Sequence, residues 1–163
     1  MNQETLHVFV NAVYEIFGEI GISDLHDRMP ENDNEYEVIA TVGFTGDLHG
    51  YLSIRSSLVC ADAFIDRLLD NMGMEKDEKE FGRFHKEALG EIVNQITGRS
   101  TMLLEEQSIT CDITPPTILI GNGISFNVRS LTHHIEKEFA GSFGTFNFFV
   151  GITVDRETTH NKA

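Results

Sequence analysis

Glu91 and Asn94 set a carboxylate and a carboxamide three residues apart, inside the stretch Lys86-Glu87-Ala88-Leu89-Gly90-Glu91-Ile92-Val93-Asn94-Gln95-Ile96-Thr97-Gly98. Such a pair can hold a cation and orient a water molecule. The element that must present them is a helix. Leu89, Ile92, Val93 and Ile96 fall at i, i+3, i+4 and i+7, so at about 100° per residue they form one apolar stripe that must face a core. Glu87, Glu91, Asn94 and Gly98 lie opposite, within an arc of about 60° on the same wheel. Asn is a mediocre helix former, and a mid-helix Gly costs about 1 kcal/mol relative to Ala, so this face asks for a reason. Presentation to a partner is one, with Gly98 allowing close backbone approach and Asn94 offering both a donor and an acceptor. A solvated helix face with Gly98 as a C-cap is the other reading of the spacing alone.

Composition narrows the partner. At 163 residues the chain has the length of one domain, residues 1–163, with 1–5 and 156–163 expected to fray. A hydrophobic content of 40% with twelve Phe is enough for a sizeable core. Twelve Lys and Arg against 26 Asp and Glu give a formal charge of -14, which opposes broad attraction to nucleic acid or to anionic lipid. Cys60 and Cys111 stand far apart with no C-x-x-C, so neither a disulfide framework nor a zinc site is expected, and a reducing cytoplasm fits. The N-terminus has no basic segment before an apolar run, and no stretch approaches 18 uncharged apolar residues, so a soluble, unexported protein is expected.

Leu6, Phe9, Val10, Val13, Phe17 and Ile20 recur at helical spacing and predict a helix over about 4–20, ending near Gly21. Tyr36 to Phe44 and Gly50 to Ile54 read as a hairpin around Thr45-Gly46-Asp47-Leu48-His49. Ser57 starts a second helix through Leu69, with Val59, Ala63, Phe64, Ile65 and Leu68 inward. A charge run at 75–80 reads as a solvated linker or first turn, and the helix carrying Glu91 and Asn94 follows from about Phe81 to Leu104. Ile109 to Ile113, Thr117 to Ile120 and Ile124 to Val128 read as strands, the last two joined by a hairpin at Gly121-Asn122-Gly123. Phe143 to Val154 reads as a further long strand. His133-His134 with Glu136 and Glu138 suggests a metal cluster only superficially, because adjacent side chains point apart; a surface helix or loop is expected there. His49 near Asp47 reads as turn polarity, and the two cysteines as small buried residues. The order helix, strand pair, two helices, strands predicts an α+β domain, a mainly antiparallel sheet covered by helices, with a faint pseudo-twofold layout.

Together these features resemble the CheC, CheX and FliY family of chemotaxis phosphatases, in particular its CheX-like type. The resemblance runs from about Phe9 to Val154. It rests on the first helix around Phe9-Val10-Asn11-Ala12-Val13, on Val42 to Gly50, on Glu91 to Asn94 with Gly98, and on Pro115 to Gly121, with 21 residues between Asn94 and Pro116. CheC-like members carry two E-x-x-N helices; this chain has none in its first helix and so resembles the single-site type. Where the family often has Asp or Ser, it has Glu87.

The resemblance implies a CheC-like fold and a phosphatase that hydrolyses the aspartyl-phosphate of a CheY-like response regulator. It implies that Asn94 orients the attacking water and Glu91 docks on the regulator's lysine, with Glu87 and Gly98 in the partner-binding face. It implies no cofactor or metal of the chain's own, the Mg²⁺ being carried by the regulator, and a cytoplasmic homodimer. A catalytically silent CheC-like module that binds a regulator or dimerises is the alternative. A metal-dependent hydrolase comes third, for want of a spaced His/Asp/Glu set.

Overall fold

The computed structural model describes residues 3–31, 35–74, 81–125 and 131–153. Three helices, α1 (Gln3–Glu19), α2 (Leu58–Asn71) and α3 (Arg83–Glu105), accompany seven strands: β1 (His26–Arg28), β2 (Tyr36–Gly46), β3 (His49–Ser56), β4 (Cys111–Ile113), β5 (Thr117–Ile124), β6 (His133–Gly141) and β7 (Gly144–Thr153). All pairings are antiparallel, and the strands form one sheet in the order β1-β6-β7-β3-β2, with β4 and β5 both pairing with β2.

The sheet's alternation sets its two faces, since successive strand residues point opposite ways. Val38, Ala40, Val42 and Phe44 of β2, Leu52 and Ile54 of β3, and Phe148, Val150 and Ile152 of β7 join the apolar sides of the helices in one core. Phe9 of α1 stacks on Phe44 with centroids 5.3 Å apart, and Phe17 stacks on Phe64 of α2 at 5.2 Å. Burying a side chain of this size contributes roughly 1.5–3 kcal/mol before entropic costs. On the other face Ile39 and Phe149 are also buried, and the Arg55 guanidinium lies 4.7 Å over the Phe149 ring.

A pseudo-twofold relation organises the sheet. β3 and β7 meet at its centre; β2 and β6 flank them; then β4 and β5 lie beyond β2, and β1 beyond β6. The first half, α1-β1-β2-β3, and the second, α3-β4-β5-β6-β7, thus each lend their leading strand to the other's edge, and α1 packs on α3.

The predicted first helix, first hairpin and α3 are all present. Ser57 caps α2, its side chain accepting from the Cys60 N–H at 3.1 Å. Four expectations are corrected. Val59 is 78% exposed rather than inward, because on the helical wheel it lies opposite the buried stripe of Ala61, Phe64, Ile65 and Leu68. Gly121-Asn122-Gly123 is not a hairpin: Ile120 faces Val38 and Ile124 faces Tyr36 of the same strand, so the three residues bulge within β5. The segment from His133 is neither helix nor loop but β6, paired along its length with β7. Residues 3–5, expected to fray, belong to α1, with Thr5 buried. The charge run at 75–80, positions 126–130 and the C-terminal 156–163 lie outside the described residues.

Candidate functional site

α3 owes its start to a histidine. Gly82 is extended, and its backbone N–H donates to Nδ1 of His85 at 3.0 Å, which satisfies one of the donors a helix end leaves open. His85 is fully buried, stacked on Phe81 at 5.1 Å and edge-on to Phe84 at 5.9 Å, with Nε2 3.4 Å from Asp62 Oδ1 on α2. Because Nδ1 accepts, the ring proton is on Nε2, facing the carboxylate.

The predicted stripe is the buried side of α3: Leu89 and Ile92 are 4% exposed, Val93 and Ile96 not at all. Thr97 and Ser100 are buried beside it, and their hydroxyls donate back to Val93 O at 2.8 Å and Ile96 O at 2.7 Å. The helix therefore seats on α1 and β2 with both of these buried hydroxyls satisfied.

The opposite face gathers the four predicted residues. Glu87 accepts from Arg83 Nε at 2.9 Å, one turn earlier, in an exposed pair. Glu91 is exposed, with Oε1 accepting from Gln95 Nε2 at 3.1 Å and its second oxygen open to a partner. Asn94 is half-buried, and among the described residues its carboxamide has no hydrogen-bond partner. Gly98 is mid-helix, since α3 continues to Glu105, so the C-cap reading falls. A Cβ built on Gly98 would meet nothing within 4 Å. Among the described residues nothing requires glycine there.

Sequence reasoning missed Gly90. It is buried next to Glu91, and a Cβ on it would stand 3.4 Å from Pro116 Cγ. The segment bearing Pro116 is itself pinned to β2: Thr114 N–H donates to Gly43 O at 2.8 Å, and Gly43 N–H donates to Thr114 Oγ1 at 2.9 Å. Pro116 thus lies over α3 one turn from Asn94 and supports the helix there. A glycine on the border between the apolar stripe and Asn94 was the available signal.

The remaining candidates separate from this face. His133 and His134 are consecutive on β6 and point to opposite faces, His134 stacking on Phe149 at 5.8 Å. Asp47 does more than polarise a turn: its carboxylate accepts from Thr110 N–H at 2.8 Å, and its own N–H donates to Thr110 O at 3.0 Å, locking the β2–β3 turn to the approach of β4. Gly46 permits this with φ +134°, where a Cβ would strike Thr110 O at 2.5 Å. Cys111 is buried and Cys60 half-buried, both free, and burial pushes the Cys111 thiol up. Among the described residues no three His, Cys, Asp or Glu side chains are grouped to hold a metal, and no helix is long and apolar enough to cross a membrane.

A family model described as chemotaxis phosphatase CheX matches residues 38–140, which include most of β2 and all of β3, α2 and α3. The chain belongs to the CheX family of chemotaxis phosphatases. It is 24% identical over 128 residues to the CheY-P phosphatase CheX of Thermotoga maritima, a match covering 76% of this chain and 80% of that one. Its fold is similar to the crystal structure of the chemotaxis protein CheX from Desulfovibrio desulfuricans, with a TM-score of 0.74 and 26% identity over 92% of this chain and 99% of that one. It is also similar to CheX in the CheX–CheY–BeF3–Mg²⁺ complex from Borrelia burgdorferi, with a TM-score of 0.69 and 18% identity over 90% of this chain and 96% of that one. The family match carries Glu87, Glu91, Asn94 and Gly98 within its bounds.

Proposed function

We propose that this chain accelerates hydrolysis of the aspartyl-phosphate of a CheY-like response regulator, with Asn94 placing the attacking water. The observation that carries this is the half-buried Asn94 carboxamide without a partner among the described residues, on a helix face whose glycine no neighbour fills. Membership in a phosphatase family supports the reaction class. The Borrelia burgdorferi relative in complex with CheY, BeF3 and Mg²⁺ supports the partner class.

In the reaction, water oxygen attacks phosphorus in line with the bond to the aspartyl oxygen. One P–O bond forms as the other breaks, the aspartate carboxylate leaves with the electron pair, and inorganic phosphate is released. Such a transfer is helped chiefly by position and charge. A carboxamide has no proton to titrate near neutrality, so Asn94 orients water through its donor and acceptor rather than acting as a base. Glu91, with one oxygen open, pairs with the regulator's lysine and fixes the approach; such a pair contributes more to register than to raw affinity. Glu87, partly neutralised by Arg83, and Gly98 border the contact. Mg²⁺ comes with the regulator, and this chain brings no cofactor. We place the protein in the cytoplasm, as a homodimer.

Phosphate release from a phosphorylated regulator, with wild-type and Asn94→Ala protein side by side, tests this. The variant is expected to lose the acceleration while keeping its circular dichroism spectrum and melting temperature. Retained acceleration would remove Asn94 from the chemistry. Wild-type protein that binds the phosphorylated regulator without speeding phosphate loss would be the silent binding module instead.

A further inference from the structure

Beside the Glu91 face, between the C-terminal half of α2 and the first turns of α3, lies an open apolar groove of about 310 Å³. Leu68, Leu69 and Ile92 help form its floor. Met72, Met74 and Phe84 stand at its rim, 61%, 48% and 37% exposed. Exposed apolar residues are ordinary when scattered, but gathered round a concavity they mark an interaction site, and methionine rims adapt to the shape of what they receive. Among the described residues Glu91 is the one charged side chain lining the groove, and Gln95, which donates to it, lines the groove too.

The groove and the proposed catalytic face therefore share a residue. A partner that sets a basic side chain on Glu91 and its phosphoryl group at Asn94 must lay its neighbouring surface across the groove. The charges point the same way. The lining is negative through Glu91, the chain carries -14, and the nearby arginines are engaged internally: Arg67 with Asp24, Arg83 with Glu87, Arg99 with Glu15 and Glu19. Lys86 lies about 160° round α3 from Ala88 of the groove wall.

We propose that this groove receives an apolar side chain of the phosphorylated regulator, one that stands next to the basic residue engaged by Glu91. The proposal rests on the reading that α3 docks the regulator. It makes recognition two-part: Glu91 and Asn94 read the phosphorylated site, and the groove reads the surface beside it.

The test uses the chemotaxis response regulator from the same genome, held in its phosphorylated form by beryllofluoride and Mg²⁺, titrated against full-length variants. Met72→Lys combined with Met74→Lys is expected to raise Kd about tenfold or more, by removing apolar contact and repelling a basic neighbour. Ala88→Leu fills the groove without adding charge and is expected to weaken binding as well. Leu119→Lys, on the remote strand β5, is the control and leaves Kd unchanged. Melting temperatures verify that each variant folds. If both groove variants bind like wild type while Asn94→Ala loses turnover, the groove proposal is overturned and the phosphatase reading stands. If the wild type does not bind the regulator, both fall. If the groove variants change self-association but not regulator affinity, the groove belongs to a second copy of this chain and the proposal is overturned.

Discussion

The Asn94 carboxamide and the Glu91 carboxylate sit one turn apart with different degrees of commitment: Glu91 already shares one oxygen with Gln95, whereas Asn94 bonds to nothing among the described residues. A group that must dock can tolerate a loose partner that it later exchanges, while a group that must aim a water is best left unspent. Glu91→Ala is accordingly expected to weaken regulator binding by roughly tenfold or more and to slow turnover, because the regulator lysine that we propose it meets would be left dehydrated and alone. Calorimetric titration against the beryllofluoride-activated regulator checks this, and an unchanged Kd would count against docking. Gly98 makes a sharper case. Among the described residues nothing would touch a Cβ there, so Gly98→Ala is expected to stabilise the free protein by up to about 1 kcal/mol in urea melts while weakening regulator binding. A gain in stability at full affinity would place Gly98 outside the contact. That Glu87, Glu91, Asn94 and Gly98 share one helix face was legible in the sequence from their spacing. The contact of Gly90 with Pro116 on the segment after β4 and the approach of His85 to Asp62 on α2 were not, since no local pattern records them.

α3 is a delivery element, and its accuracy depends on how it begins. His85 closes the first turn and buries its ring between two phenylalanines, so His85→Ala removes an acceptor and leaves a void at once. A loss of roughly 2–4 kcal/mol in urea or thermal melts is expected. A loss within 0.5 kcal/mol would mean that the turn holds without it. The elements differ in how plainly they announce themselves. α3 shows its stripe because Leu89, Ile92, Val93 and Ile96 all face one core. β6 hides its identity: His133-His134 with Glu136 and Glu138 read as surface helix or loop, yet Glu136 accepts from Asn147 of β7 and Glu138 from Arg28 of β1. Its polarity is satisfied by neighbouring strands, which periodicity cannot see. Gly121-Asn122-Gly123 misleads for the same reason, since the partner that keeps both flanks in one strand is β2, far back in the chain.

At the scale of the molecule, Asp24 ties three parts together. It follows α1, pairs with Arg67 of α2 at 2.7 Å, and accepts from the Ser142 N–H in the β6–β7 turn at 2.8 Å. The hydrogen bond from Arg67 foremost, and that from Ser142 next, hold its carboxyl down to about 2, below the ~3.9 of an unfolded chain. A carboxyl depressed on folding stabilises the native state above about pH 4, and that contribution fades as pH falls from about 4 towards 2. The stability gap between wild type and Asp24→Asn in urea melts is therefore expected to be present at pH 7 and to shrink through that window. A gap that persists unchanged to pH 2 would show that it does not come from the charge.

The exchange of leading strands between the two halves has a consequence for how the molecule fails. A cut between α2 and α3 would leave each fragment with a bare sheet edge and an uncovered apolar helix face, neither able to close on itself, yet each the complement of the other. Two such pieces should recover activity when mixed and aggregate when kept apart. α3 rests on β2 and α1, which come from the other half, so injury to the first half of the chain would displace the helix that carries Asn94.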